Sequence, residues 1–239
     1  MKRRFSKAAL VGAALVLPAA AMAGVVVKSS GPSASTYKVG TKVDDGSSIT
    51  LKAGDSVTVL TSRGTQVLKG AGTYTIGEKP KEPRYRFANF TRRGAADRVR
   101  LGTVRNAEPG KIERPNMWYV DLTQGGTTCL YDFGTVRLWR PDASEAATYT
   151  MVEPEKADAV EIEFEAEEPD RVLNSARLAL VEGRTYAVRG PGIDAEPVTM
   201  QFALVGAYET PEELATILVE KGCEAQLALM ADRLEADAE

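Results

Sequence analysis

A mainly β chain closed by helices is predicted from three observations. Short runs of alternating apolar and polar residues recur from Val25 to Val205, and glycine- or proline-bearing turns punctuate them. Only after Thr210 does the apolar spacing lengthen from every second residue to every third or fourth. The expected architecture is an N-terminal β-domain, then a second, β-sandwich-like domain ending in helices.

The chain has 239 residues, and its first 23 form a segment of their own. Lys2, Arg3, Arg4 and Lys7 precede an apolar stretch from Ala8 to Leu17, and Ala21-Met22-Ala23 follows. That is the layout of a secretory signal peptide, with cleavage expected between Ala23 and Gly24. Gly24 is not a cysteine, so no lipoprotein anchor is expected, and Phe5 after Arg3-Arg4 departs from a twin-arginine signature. No later stretch reaches the length of a membrane span, so none is expected once the leader is cleaved. The leader carries four of the 30 basic residues and no acid, leaving 26 against 33 acids, net −7. A nucleic-acid partner is not expected at that charge.

Residues 24–77 form the first domain. Val25-Val26-Val27 opens a strand that Gly31-Pro32-Ser33 ends, and Asp44-Asp45-Gly46 is a turn before Ile49-Thr50-Leu51. Val57 and Val59 alternate with Ser56 and Thr58, as Tyr74 and Ile76 do with Thr73 and Thr75, so strands buried on one face are expected. Between them Ser62-Arg63-Gly64 is a hairpin turn before Gln66-Val67-Leu68, and Gly70 and Gly72 mark a bulge or a close backbone approach.

Residues 78–115 are a basic connector. Eleven basic residues between Lys79 and Arg114 face Glu82, Asp97, Glu108 and Glu113, net +7 in an otherwise acidic chain. Prolines 80, 83, 109 and 115 bracket a short helix predicted from about Arg84 to Arg100. Arg84, Arg86, Arg92 and Arg93 are candidate anion-binding residues, because guanidinium groups hold phosphates and carboxylates through paired hydrogen bonds. The bland alternative is that the segment lies against an acidic face of the same chain. Asn89-Phe90-Thr91 is formally a glycosylation sequon, carried by chance on this reading.

Residues 116–239 resume the strand pattern. Met117–Leu122, Thr127–Tyr131, Thr135–Arg140, Thr148–Val152, Ala159–Ala166, Ala176–Val181, Thr185–Val188 and Val198–Val205 are eight expected strands. Thr210-Pro211-Glu212-Glu213 is a capping box opening a helix that Gly222 stops. A second helix is expected from Glu224 to about Leu234, with Leu227, Met230 and Leu234 inward. The two cysteines, Cys129 and Cys223, are 94 positions apart, and in an oxidising compartment the expectation is one disulfide tying the helical tail to the second sheet.

"LKAGDSVTVL" at 51–60 and "RGTQVLKGAGTY" at 63–74 look like the glycine-punctuated strands of FecR-like periplasmic domains. "VVVKSSGPSASTYKVG", "LWRP" and "KGCEAQLALMADRL" also resemble features of secreted proteins of Gram-negative bacteria. The resemblance covers about a quarter of the chain. It implies a periplasmic module for sensing, assembly or envelope contact, and no catalytic residues.

The chemistry the chain lacks narrows the rest. It has no histidine, so Ser-His-Asp and Cys-His catalysis and the usual zinc and non-haem iron sites are gone together; no cofactor is expected. Ser35-Thr36-Tyr37-Lys38 fits a serine-x-x-lysine pattern without the companion motifs of that chemistry, so chance explains it. Glu161, Glu163, Glu165 and Glu167 would share one strand face, as a hard-cation site or as charge guarding a strand edge, and the second reading is preferred. The expectation is a non-enzymatic periplasmic protein for binding, envelope signalling or assembly, with an envelope protein or an anionic polymer as its partner. Its alternatives are an adaptor for anionic envelope polymers and a glycan hydrolase working through two carboxylates.

Overall fold

The computed structural model describes residues 22–77, 114–156 and 158–238. The leader therefore lies outside the described residues except for Met22 and Ala23, with which the first strand begins, and so does the connector except for Arg114 and Pro115. The chain is mainly β with several sheets and two C-terminal helices, as its patterning predicts.

Six strands build the N-terminal part: β1 (Met22–Ser30), β2 (Lys42–Asp44), β3 (Ser48–Leu51), β4 (Ser56–Thr61), β5 (Gly64–Lys69) and β6 (Gly72–Thr75). The first, second, fourth and fifth form one antiparallel sheet, ordered β2-β1-β4-β5, and β3 pairs with β6. Val26, Ile49, Leu51, Val57, Val59, Leu68 and Ile76 fill the space between. Gly70 serves the turn from β5 to β6, at φ 80°, and not a bulge. Gly31 stands at φ 97°, and a Cβ there would meet the Asp55 carboxylate at 2.6 Å.

That carboxylate pins the turns around it, accepting from the amides of Ser33 at 2.8 Å and Lys52 at 2.6 Å. Burial works against its ionisation, but the bonds from Ser33 and Lys52 outweigh it and hold the carboxyl below its ordinary value. A carboxyl depressed by folding contributes stability above its ordinary pKa and loses that contribution as pH falls through the depressed one. Asp55→Ala should therefore lower Tm by a constant amount above about pH 5, and the gap from wild type should close below about pH 4. Thermal melts across that range check it.

β4 departs from expectation, because both of its faces are buried. Val57 and Val59 face the small core, while Leu60 belongs to a second core shared with the C-terminal helices and Thr58 donates to the Glu235 carboxylate. The unbroken Val25-Val26-Val27 run has the same cause, since Val26 faces one core and Val25 and Val27 the other.

The second part contains β7 (Val120–Asp121), β8 (Gly126–Leu130), β9 (Arg137–Trp139), β10 (Ala147–Glu153), β11 (Asp158–Phe164), β12 (Asp170–Val172), β13 (Thr185–Arg189) and β14 (Val198–Leu204). A five-stranded sheet, ordered β11-β10-β13-β14-β8, and a three-stranded sheet, ordered β12-β9-β7, share one core that includes Leu138, Tyr149, Ile162, Tyr186 and Phe202. Two pairings are parallel, β14 with β8 and β7 with β9.

Two of the expected strands change. Met117–Leu122 shrinks to β7 because Asn116 turns the chain, accepting from Trp118 N through its side chain and from Tyr119 N through its carbonyl. Ala176–Val181 is not a strand: the Asn174 carbonyl accepts from the amides of Arg177 and Leu178, making a helical turn that still buries Leu178 and Leu180. The unexpected strand is β12, only three residues long.

The helices are α1 (Pro211–Glu220) and α2 (Glu224–Ala238). Thr210 caps the first, its hydroxyl accepting from Glu213 N at 3.3 Å, while the Glu213 carboxylate reaches one residue further back than a capping box requires, to Glu209 N. Gly222 at φ 72° ends it, with Cys223 N bonded to Leu218 O and Gly222 N to Val219 O. This Schellman closure turns Cys223 toward β8. Leu214, Leu218, Leu227, Met230 and Leu234 then pack with Val25, Val27 and Leu60 on one side and Met117, Cys129 and Ala203 on the other. The helices thus lie between the two β parts, and Lys28 on β1 clasps Asp232 at 2.8 Å and Glu235 at 2.9 Å.

Candidate functional site

Cys129 and Cys223 are bonded, with Cα atoms 5.8 Å apart and neither residue exposed. Gln226, one turn along α2, completes the joint. Its Oε1 accepts from Cys129 N at 2.6 Å, and its Nε2 donates to Cys129 O at 2.8 Å and Met117 O at 3.0 Å. A side-chain amide here does what another strand would do for the end strand β8. Nothing in the spacing of Gln226 marked it, because its partners are far away in sequence.

The candidate anion-binding residues Arg84, Arg86, Arg92 and Arg93 all lie outside the described residues. Arg114, counted with them in the basic segment, is buried and donates to Tyr119 O at 3.3 Å. Ser35 and Lys38 are exposed in and just after the turn at 32–36, away from any helix start.

The four glutamates do not share one face. Glu161 and Glu163 point outward from β11, whereas Glu165 and Glu167 follow its end, with Glu167 in a turn at φ 64°. Among the described residues no group of three or more acids, cysteines or histidines could hold a metal ion. β11 is the end strand of its sheet, where outward charge guards against unwanted pairing.

Besides Asp55, two buried charges escaped the sequence reading. Glu153 lies 1 % exposed at the end of β10, bonded to Arg184 at 2.7 Å and approached by Lys156 at 3.5 Å. With both partners engaged it serves as a fastening and not as a free acid. Arg140 is fully buried and donates to three carbonyls, Glu168 O at 3.0 Å, Glu145 O at 2.7 Å and Glu165 O at 2.8 Å, with its guanidinium 5.0 Å above the Phe164 ring.

Among the described residues are two concave places. One, of about 430 Å³, runs between the N-terminal sheet and α1, where Gly24, Lys42 and Ser62 face Glu212, Glu213 and Ile217. The other, of about 400 Å³, lies between β11 and β12. Its carboxylates, Glu161 and Glu163, stand side by side on one wall. Glycosidase acids flank their substrate from opposite sides, so this groove gives the hydrolase reading no support.

No protein-family model, no curated protein and no solved structure matches this chain. The likeness of residues 51–74 to FecR-like domains therefore rests on those residues alone.

Proposed function

We propose that this chain is a non-enzymatic periplasmic protein whose work is binding, envelope signalling or assembly. The observation that carries the reading is the buried Cys129–Cys223 bond, which closes the only two cysteines into a structural tether. Such bonds form and persist in oxidising compartments. The leader-like first 23 residues and the FecR-like strands of residues 51–74 point the same way. Deeply buried polar groups, Glu153, Arg140 and Gln226 among them, are engaged in holding the fold, which suits a rigid display scaffold better than a catalyst.

Expression of the full chain in a Gram-negative host, followed by fractionation and mass spectrometry, tests this. The expected product is periplasmic, begins at Gly24 and yields one peptide pair crosslinked through Cys129 and Cys223. A cytosolic product with its leader intact, or two free thiols, would sink the proposal.

The basic connector supports a second reading, an adaptor for anionic envelope polymers. Its net charge of +7 between residues 79 and 115, in a chain that is acidic elsewhere, is the observation in its favour.

A further inference from the structure

We infer that the groove between β11 and β12 is a strand-addition site, which takes an extended segment of a partner protein, lysine- or arginine-bearing on one face, along the outer edge of β11. The inference rests on the binding reading and gives it a surface and a kind of partner.

β11 and β12 are the end strands of the two facing sheets, and among the described residues no strand pairs with the outer edge of either. An end strand offers a row of main-chain donors and acceptors, and natural end strands are usually kept very short or covered. At seven residues β11 is not short, and no described strand covers its outer edge. The floor of the groove beside it is set by Val160, Ile162 and Leu173 of the sandwich core, and Arg171, Asn174 and Arg177 add polar lining. Val172, 46 % exposed, stands on the opposite wall. A strand laid along β11 would turn alternate side chains onto that floor, as strand geometry requires.

The charges say which strand. Of the two arginines that line the groove, Arg171 is engaged by Glu168 through two hydrogen bonds of 3.0 and 2.7 Å, and Arg177 lies beyond the end of β12. Glu161 and Glu163 make no ion pair among the described residues, and both project from the outer face of β11. On that face an incoming strand's outward side chains would lie directly beside them, where opposite charges attract and like charges repel. Basic residues are therefore favoured at those positions. The same two carboxylates oppose pairing of β11 with a second copy of itself, leaving the edge open to a partner and closed to its own kind.

The probe is a capped seven-residue peptide alternating valine and lysine, titrated into the full chain and followed by amide chemical shifts and hydrogen exchange. Changes confined to residues 158–164 and 170–174 are expected, with binding weaker by about tenfold or more for the valine–glutamate peptide. Glu161→Lys with Glu163→Lys, two exposed positions that leave the core untouched, should reverse that preference. Equal affinity for the two peptides, shifts elsewhere such as the α1 groove, or no shifts at all would overturn the site. Those outcomes leave the export experiment untouched, and a cytosolic product there would leave a positive peptide result standing.

Discussion

Replacing Cys129 and Cys223 together by alanine is expected to lower stability by about 4 kcal/mol, because the lost tether closes a loop of 94 positions in the unfolded chain. For a chain of this size that corresponds to a fall in Tm of roughly 10 °C. The loss should be concentrated at the joint between β8 and α2. There Gln226 depends on the same register for its bonds to Cys129 and Met117, so hydrogen-exchange protection should drop first around residues 126–130 and 223–234. Reduction of the wild-type protein should reproduce the melting curve of the double variant. A fall of under about 2 °C would show that core packing alone holds the tail.

Arg140→Ala is the second large effect expected. Three main-chain carbonyls lose their donor at once in a part-buried site, and an acceptor left unpaired there costs up to roughly 1–3 kcal/mol. Water entering the space will recover part of this, so a net loss of about 4 kcal/mol is expected from chemical denaturation. Arg140→Lys should recover little of it. A single ammonium cannot span carbonyls from residues 145, 165 and 168, which the planar guanidinium reaches together. If the lysine variant melted with the wild type, the three-way clasp would not be what stabilises these loops.

Much of this fold is written locally. Thr210 as a cap, Gly222 as a stop and the three- and four-residue spacing of Leu227, Met230 and Leu234 place the helices, and the alternation in Thr148–Val152 and Val198–Val205 places central strands. What misled was tertiary. Ser56–Thr61 alternates like a strand with one wet face, yet the helices that cover its second face come from the far end of the chain. Ala176–Val181 has the apolar spacing of a strand, and a single residue, Asn174, diverts it into a turn by offering its own carbonyl and side chain to the next amides. The candidate site was legible only in part. The alternation around Glu161 and Glu163 announced an outward charged face, but that this face borders a groove depends on β12, whose three residues carry no pattern of their own.

The joining of Val25 and Val27 with Leu227, Met230 and Leu234 in one core sets the order in which the molecule can be assembled. β1 has no cover for its second face until α1 and α2, far along the chain, have been made. A ribosome or a translocation channel releasing the chain from its N-terminus thus delivers a half-finished sheet. Completion waits for the two helices, and a nascent chain that stalls before them would leave β1, not only its growing end, exposed to chaperones and proteases.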